Sequence, residues 1–326
     1  MRKIGFTTTI PVEVILAAKC IPVDLNNVFI TDCNPDSYIE YAEMSGFPRN
    51  TCSWIKGIYG VLMKKKEIDE LIGVVEGDCS NTRALLEVLN LKNIKFTTFS
   101  YPHDKNKERL LSEIKRLMEH FGVTWQEVQE VKERLDKIRL KLMELDRLTW
   151  EENKLSGFEN HLWLVSSSDF NGDTDKFERD LDEFLREAKS GAEKKERVRI
   201  GYIGVPPIFS DLYEFIENVG GRVVFNEVQR QFSIFSGIGK DLLSGYLSFT
   251  YPYDLKNRLE DIKKEIKNRN IHGIIHYVQS FCFRGIEDIV IREEIGVPVL
   301  TLEGDKPGKL DARTKLRIEA FLDMLK

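Results

Sequence analysis

Along the chain, apolar and polar positions form two regions of alternating short runs with a long helical stretch between them. In the first region, Leu71-Ile72-Gly73-Val74-Val75 is a β-branched run bounded by turn residues, the pattern of a buried strand. Asn81 to Leu89 follows with helical spacing, and Lys95 to Phe99 reads as another strand, closed by Tyr101-Pro102. Upstream, Pro11-Val12-Glu13 opens a helix carried by Val14 to Lys19. Asn27 to Ile30 is expected as a short strand and Ile55 to Lys64 as a helix. Strands alternating with helices predict a mostly parallel α/β domain over residues 1–103.

The pattern changes over residues 104–196. Thr124 and Glu127 form a capping-box pair, after which Val128, Val131, Leu135, Ile138, Leu142 and Leu145 recur at helical spacing. This narrow seam, with mixed charges around it, predicts a packing stripe against the domain body or a second subunit. A membrane or calmodulin-target helix would carry a basic polar face instead.

The alternation returns over residues 197–326. Val198 to Val205 reads as a strand, Ser210-Asp211 as a cap for the next helix, and Gly220-Gly221 as its end. Strands are expected at Arg222 to Val228, Ile271 to Val278 and Val297 to Leu302. Helices are expected at Asp254 to Asn268, at Gly285 to Glu294 and from Leu310. That is a doubly wound, flavodoxin-like order of elements. Gly201-x-x-Gly204 lacks the remaining glycine of a dinucleotide fingerprint, which argues against a nicotinamide cofactor.

Composition narrows the function classes. The 326 residues carry 48 Lys plus Arg against 53 Asp plus Glu, a formal charge of −5. A mildly acidic chain is not drawn to nucleic acid or to an anionic membrane, so neither is expected as a partner. Glu13 and three threonines interrupt the apolar start where an export signal would need its core, and no run reaches the ~18 apolar residues of a bilayer span. A cytoplasmic protein is expected.

Five cysteines are too few and too scattered for a disulfide scaffold, and an odd count suits a reducing compartment. Cys79 follows one apolar strand, Cys282 follows another, and Cys52 precedes a helix. Ligands in open α/β sheets bind at the carboxyl ends of the strands. Two such domains face to face would bring Cys52, Cys79 and Cys282 together in their cleft, where thiolates at helix starts are good soft-metal ligands. The spacing matches no compact zinc or ferredoxin signature, so inert core thiols remain the alternative reading. Cys20, placed on the apolar face of the first helix, and Cys33 are read as core or loop thiols.

Other candidates are single residues. Lys56 and Arg284 lie just beyond two of these cysteines and would favour an anionic group there, or else form ordinary salt bridges. His103 stands at a strand end where a proton donor would be useful, whereas His272 and His276 fall on a core strand. Ser210 and Asp211 read as a plain helix cap, with a phosphate or pantetheine contact as the alternative.

Several separated blocks resemble one family. They are Pro11-x-Glu13 with Ala17-Ala18 and Ile21-Pro22-Val23; Pro48-Arg49-Asn50-x-Cys52-Ser53-Trp54-Ile55-Lys56; and Cys79 with its following helix. After them come Asp211-Leu212-Tyr213-Glu214 with Gly220-Gly221-Arg222-Val223-Val224, then Phe281-Cys282, and finally Leu302-Glu303-x-Asp305 with Arg317-Ile318-Glu319-Ala320-Phe321. In this order they resemble the 2-hydroxyacyl-CoA dehydratase D-component family, which includes benzoyl-CoA reductase subunits and double-cubane cluster proteins.

The resemblance implies two Rossmann- or flavodoxin-like domains joined by helices, paired as a homodimer or with a related subunit. It implies a [4Fe-4S] cluster held by three cysteines, which match Cys52, Cys79 and Cys282. It also implies an ATP-dependent iron–sulfur activator protein that injects a low-potential electron into an acyl-CoA substrate. In the dehydratases a ketyl radical then expels the hydroxyl group. Three thiolates leave one iron with an exchangeable position, as a catalytic zinc keeps one open. Unlike many relatives, this chain has no cysteine in Asn226 to Gln231 and a short central region. Two alternatives therefore stand: a double-cubane [8Fe-9S]-type reductase of small molecules, and a non-catalytic cluster-binding partner protein.

Overall fold

In the computed structural model, which describes residues 1–195 and 197–326, two four-stranded all-parallel sheets are flanked by helices. The first sheet comprises β1 (Lys3–Phe6), β2 (Ile21–Asp24), β3 (Glu70–Glu76) and β4 (Phe96–Ser100), in the order β2-β1-β3-β4. The second comprises β5 (Val198–Gly204), β6 (Gly221–Asn226), β7 (Gly273–Gln279) and β8 (Val299–Gly304), in the order β6-β5-β7-β8. The two orders are the same. In each sheet the connections reverse direction between the first strand and the third, which opens a crevice at their carboxyl ends.

Local chemistry explains where the strands begin and end. The expected strand at Asn27 to Ile30 is instead a helix, Leu25–Ile30, because the Asp24 side chain accepts the Asn26 N–H and caps it. Its strand is Ile21–Asp24, at the sheet edge, where Pro22 costs no ladder bond. The strand expected to run to Val228 stops at Asn226, since Glu227 starts a short helix. Asp211 occupies the N-cap position of Leu212–Asn218 without capping it. Its carboxylate accepts the Leu310 N–H at 2.7 Å and ties the 308–310 loop to the helix start. The Gly285 to Glu294 helix divides into a 3₁₀ turn, Phe283–Ile286, and the helix Glu287–Glu294. The strand Lys3–Phe6 and the helix Asp36–Met44 carry too short or too mixed a pattern to stand out in the sequence.

The capping box at Thr124 and Glu127 starts a helix running from Trp125 to Trp150. Its seam is buried except for half-buried Val131, and most of it joins Leu164, Phe177 and Leu181 in one core. This long helix joins the two halves. Arg139 near its middle pairs with Glu13, and Asp146 further along takes two bonds from Arg269 of the second half. The helix Leu242–Ser248 crosses back onto the first half, where Tyr246 Oη bonds Glu13 at 2.7 Å. Among the described residues no helix is long and apolar enough to cross a membrane.

Candidate functional site

The carboxyl ends of both sheets open onto one cavity of about 490 Å³. Thr7 and Thr8 after β1, Asp24 at the end of β2, and Asp78-Cys79 after β3 line it from the first half. Val205-Pro206-Pro207 after β5 and Gln279, Cys282 and Arg284 after β7 line it from the second. Cys52, Trp54, His161 and Asp169 complete the part of the wall used below.

Cys79 and Cys282 hold matching positions. Each stands three residues past the end of the third strand of its sheet, Glu76 and Gln279 respectively, at the crevice. The turn into the first is made by Gly77 at φ +90°, where a Cβ would meet Tyr101 Cβ at 2.6 Å and the Pro252 carbonyl at 2.9 Å. Cys52 is the N-cap residue of Ser53–Lys65. All three thiols meet the same device: backbone N–H groups just downstream face the sulfur and favour its thiolate. These belong to Trp54 and Ile55 for Cys52, Asn81 for Cys79 and Arg284 for Cys282.

Burial works against them. It pushes the Cys52 thiol up to about 11 and the Cys79 thiol up to about 12, and raises Cys282 as well. The neighbouring Asp78 adds to the rise at all three, and Cys79 also feels Cys52 and Cys282. Burial thus favours the neutral form of all three thiols. A bound metal reverses that, because coordination deprotonates a thiol outright.

Arg284 lines the cavity, and its positive charge acts on Cys282. Its guanidinium stacks on the Tyr251 ring at 4.0 Å and donates to the Tyr251 carbonyl at 3.1 Å and to Glu287 Oε1 at 3.1 Å. Glu287 is held in turn by Arg258 at 2.6 Å, and Arg258 pairs with buried Glu227 at 2.5 and 2.8 Å.

The family profile of 2-hydroxyglutaryl-CoA dehydratase, D-component, matches residues 7–325, nearly the whole chain. The chain belongs to this family. No curated protein matches it. The match takes in β2 to β8, all three cavity cysteines and the cavity lining from Thr7 onwards.

The other sequence candidates fall in different places. Arg284 lines the cavity, whereas Lys56 and His103 are not among the residues around it. Lys56 is buried and spends its charge on Glu43 at 2.8 Å and the Arg49 carbonyl at 3.2 Å. His103 is exposed on its turn. His276 is a packed core histidine bound to Asp288 at 2.7 Å, and His272 is half-buried. Cys20 lies past the first helix in the core rather than on its face, and Cys33 is exposed.

Sequence reasoning missed several wall residues, among them Asp24, Trp54, His161 and Asp169. The first two lie inside the quoted blocks or one residue beyond them. His161 and Asp169 sit in the helical stretch with no motif around them.

The donor set fits an iron–sulfur cluster. Among the described residues, no three His, Cys, Asp or Glu side chains converge on a single metal ion. A cubane needs another arrangement, since each thiolate binds its own iron and the sulfurs stand apart. Among the described residues, neither the buried indole N–H of Trp54, which lines the wall with Cys52, nor the Ser53 hydroxyl has a hydrogen-bond partner. Donors left over next to a ligand suit a sulfide-rich group that accepts hydrogen bonds.

Proposed function

We propose that this chain is the cluster-bearing subunit of a 2-hydroxyacyl-CoA dehydratase-type enzyme, a lyase that eliminates water from its substrate. The observation that carries the reading is the lining of one cavity by three thiols drawn from both halves of the chain. Cys52, Cys79 and Cys282 would hold a [4Fe-4S] cluster, leaving one iron position open. Such a cluster supplies low-potential one-electron chemistry, with the electron injected by an ATP-dependent iron–sulfur activator protein. The protein's own part is to orient the ligand, exclude water and set the charge around it. Arg284, fixed by Glu287 and Tyr251, offers a positive charge that moves little as the charge in the cavity changes. Pairing with a second copy or a related subunit, in the reducing cytoplasm of an anaerobic cell, belongs to the same reading.

Anaerobic isolation should give a brown protein with about four iron and four sulfide per chain and a cluster signal in EPR after reduction. A colourless, iron-free protein after anaerobic reconstitution overturns the proposal.

The carboxylates favour a second reading. Asp24, Asp78 and Asp169 all line the cavity, and although burial raises the pKa of each, whichever of them is ionised repels the anionic head of coenzyme A. A small substrate reduced at a sulfide-bridged double cubane avoids that conflict. More than four sulfide per chain, with a distinct EPR signal, would select it.

A further inference from the structure

A buried chain of hydrogen bonds fixes which nitrogen of His161 carries its proton. It begins at Asp146, a carboxylate held by Arg269 at 2.6 and 3.0 Å. Asp146 can only accept, so Asn160 presents its amide nitrogen to it at 3.0 Å. That leaves Asn160 Oδ1 to accept from Asn226 Nδ2 at 2.8 Å, and Asn226 Oδ1 to accept from Tyr213 Oη at 2.7 Å. The Tyr213 proton being spent, its oxygen accepts from Gln229 Nε2 at 3.3 Å. The same amide nitrogen lies 3.0 Å from His161 Nδ1, which must therefore be the unprotonated nitrogen. Its proton sits on Nε2.

The His161 ring lines the cavity that holds the three cysteines, and among the described residues Nε2 has no partner. Burial pushes the imidazole down to about 3, so the ring is neutral across the physiological range. A neutral imidazole with a fixed tautomer is a hydrogen-bond donor rather than a proton source. The packing supports the same orientation. Tyr213 lies over the ring at 5.0 Å and Phe158 at 6.2 Å, which leaves it little freedom to turn.

We propose that His161 donates from Nε2 to an acceptor oxygen of the ligand in this cavity, and that Gln229 is the positioning residue that holds it in the donor tautomer. The proposal rests on the reading of the cavity as an acyl-CoA site, where that oxygen is the thioester carbonyl. A carbonyl oxygen gains negative charge when the acyl group is reduced, and a neutral donor aimed at it stabilises that charge without giving up a proton.

The test uses anaerobically isolated protein of measured iron content, titrated with lactoyl-CoA as the probe. His161→Leu should weaken binding by about tenfold, the usual effect of losing one hydrogen bond in a site closed to water. His161→Gln, whose amide nitrogen falls near the Nε2 position, should bind within about twofold of wild type, a rescue that a merely structural role would not predict. Gln229→Leu, which frees the ring to take either tautomer, should fall between them. Equal affinity in wild type and His161→Leu at equal iron content overturns the role of His161 and leaves the reading of the cavity intact. A wild type that holds iron and does not bind lactoyl-CoA overturns the acyl-CoA reading, and this ligand with it. An iron-free wild type that still shows the Leu and Gln pattern supports His161 and overturns the cluster.

Discussion

Asp169 Oδ2 accepts the backbone N–H of Asp24 at 2.8 Å, which sets two buried carboxylates side by side on the cavity wall. Burial and the charge of Asp24 push the Asp169 carboxyl up to about 7, from an ordinary 3.8. The folded chain therefore holds this proton more tightly than the unfolded one. Its contribution to stability is full below about pH 4, is lost as the pH rises towards 7, and stays lost above that. The slope is at most about 1.4 kcal/mol per pH unit. Asp169→Asn cannot titrate, so wild type, measured by urea unfolding, should lose stability relative to the variant from pH 5 to pH 8. A gap that stays constant would show that Asp169 ionises as freely as an exposed aspartate.

Removal of single thiols should separate ligands from bystanders. Cys52→Ala, Cys79→Ala and Cys282→Ala should each lose most of the iron retained by wild type after anaerobic reconstitution. Cys20→Ala and Cys33→Ala should keep it, since one thiol is in the core and the other is exposed, both off the cavity wall. Full iron content in Cys282→Ala would remove the second half of the chain from the site.

Arg258 neutralises Glu227, which has no exposed surface, and lowers its pKa against the effect of burial. Arg258→Ala leaves that carboxylate buried and unpaired, at a cost of about 3–5 kcal/mol at pH 7. Without its partner Glu227 protonates more readily, so part of the loss should be recovered as the pH falls. Denaturant unfolding at pH 5 and pH 7.5 reads both effects, and a loss independent of pH would place the damage elsewhere.

The helix that Cys52 opens depends on a close approach. A Cβ on Gly60 would come within 2.5 Å of the Tyr38 carbonyl oxygen on the neighbouring helix, and backbone cannot swing aside. Gly60→Ala should cost about 1–3 kcal/mol and lower the melting temperature. An unchanged melting temperature would mean that the helices part freely.

The parts of this protein legible in the sequence are those with local causes. Periodicity marks Leu71 to Val75 as a buried strand, and the Thr124–Glu127 pair marks a helix start, because neighbours in the chain settle both. Where a side chain had a choice of partner, local reading failed. Asp211 looked like a helix cap and instead serves a loop about a hundred residues away. Lys56 allowed two readings, a charge beside a ligand or a salt bridge, and the fold buries it in a salt bridge with Glu43.

By itself the sequence determined two α/β halves, the family blocks and the three cysteines in register with strand ends and a helix start. Only the tertiary structure decided that Cys52, Cys79 and Cys282 share a wall with Asp24, His161 and Asp169. The reason is physical: a strand end is a local property, but a cavity belongs to two sheets whose carboxyl ends meet across it. The proton on His161 lies further still from local reading, because Asn160, Asn226, Tyr213 and Gln229 direct it only once the fold has buried them together.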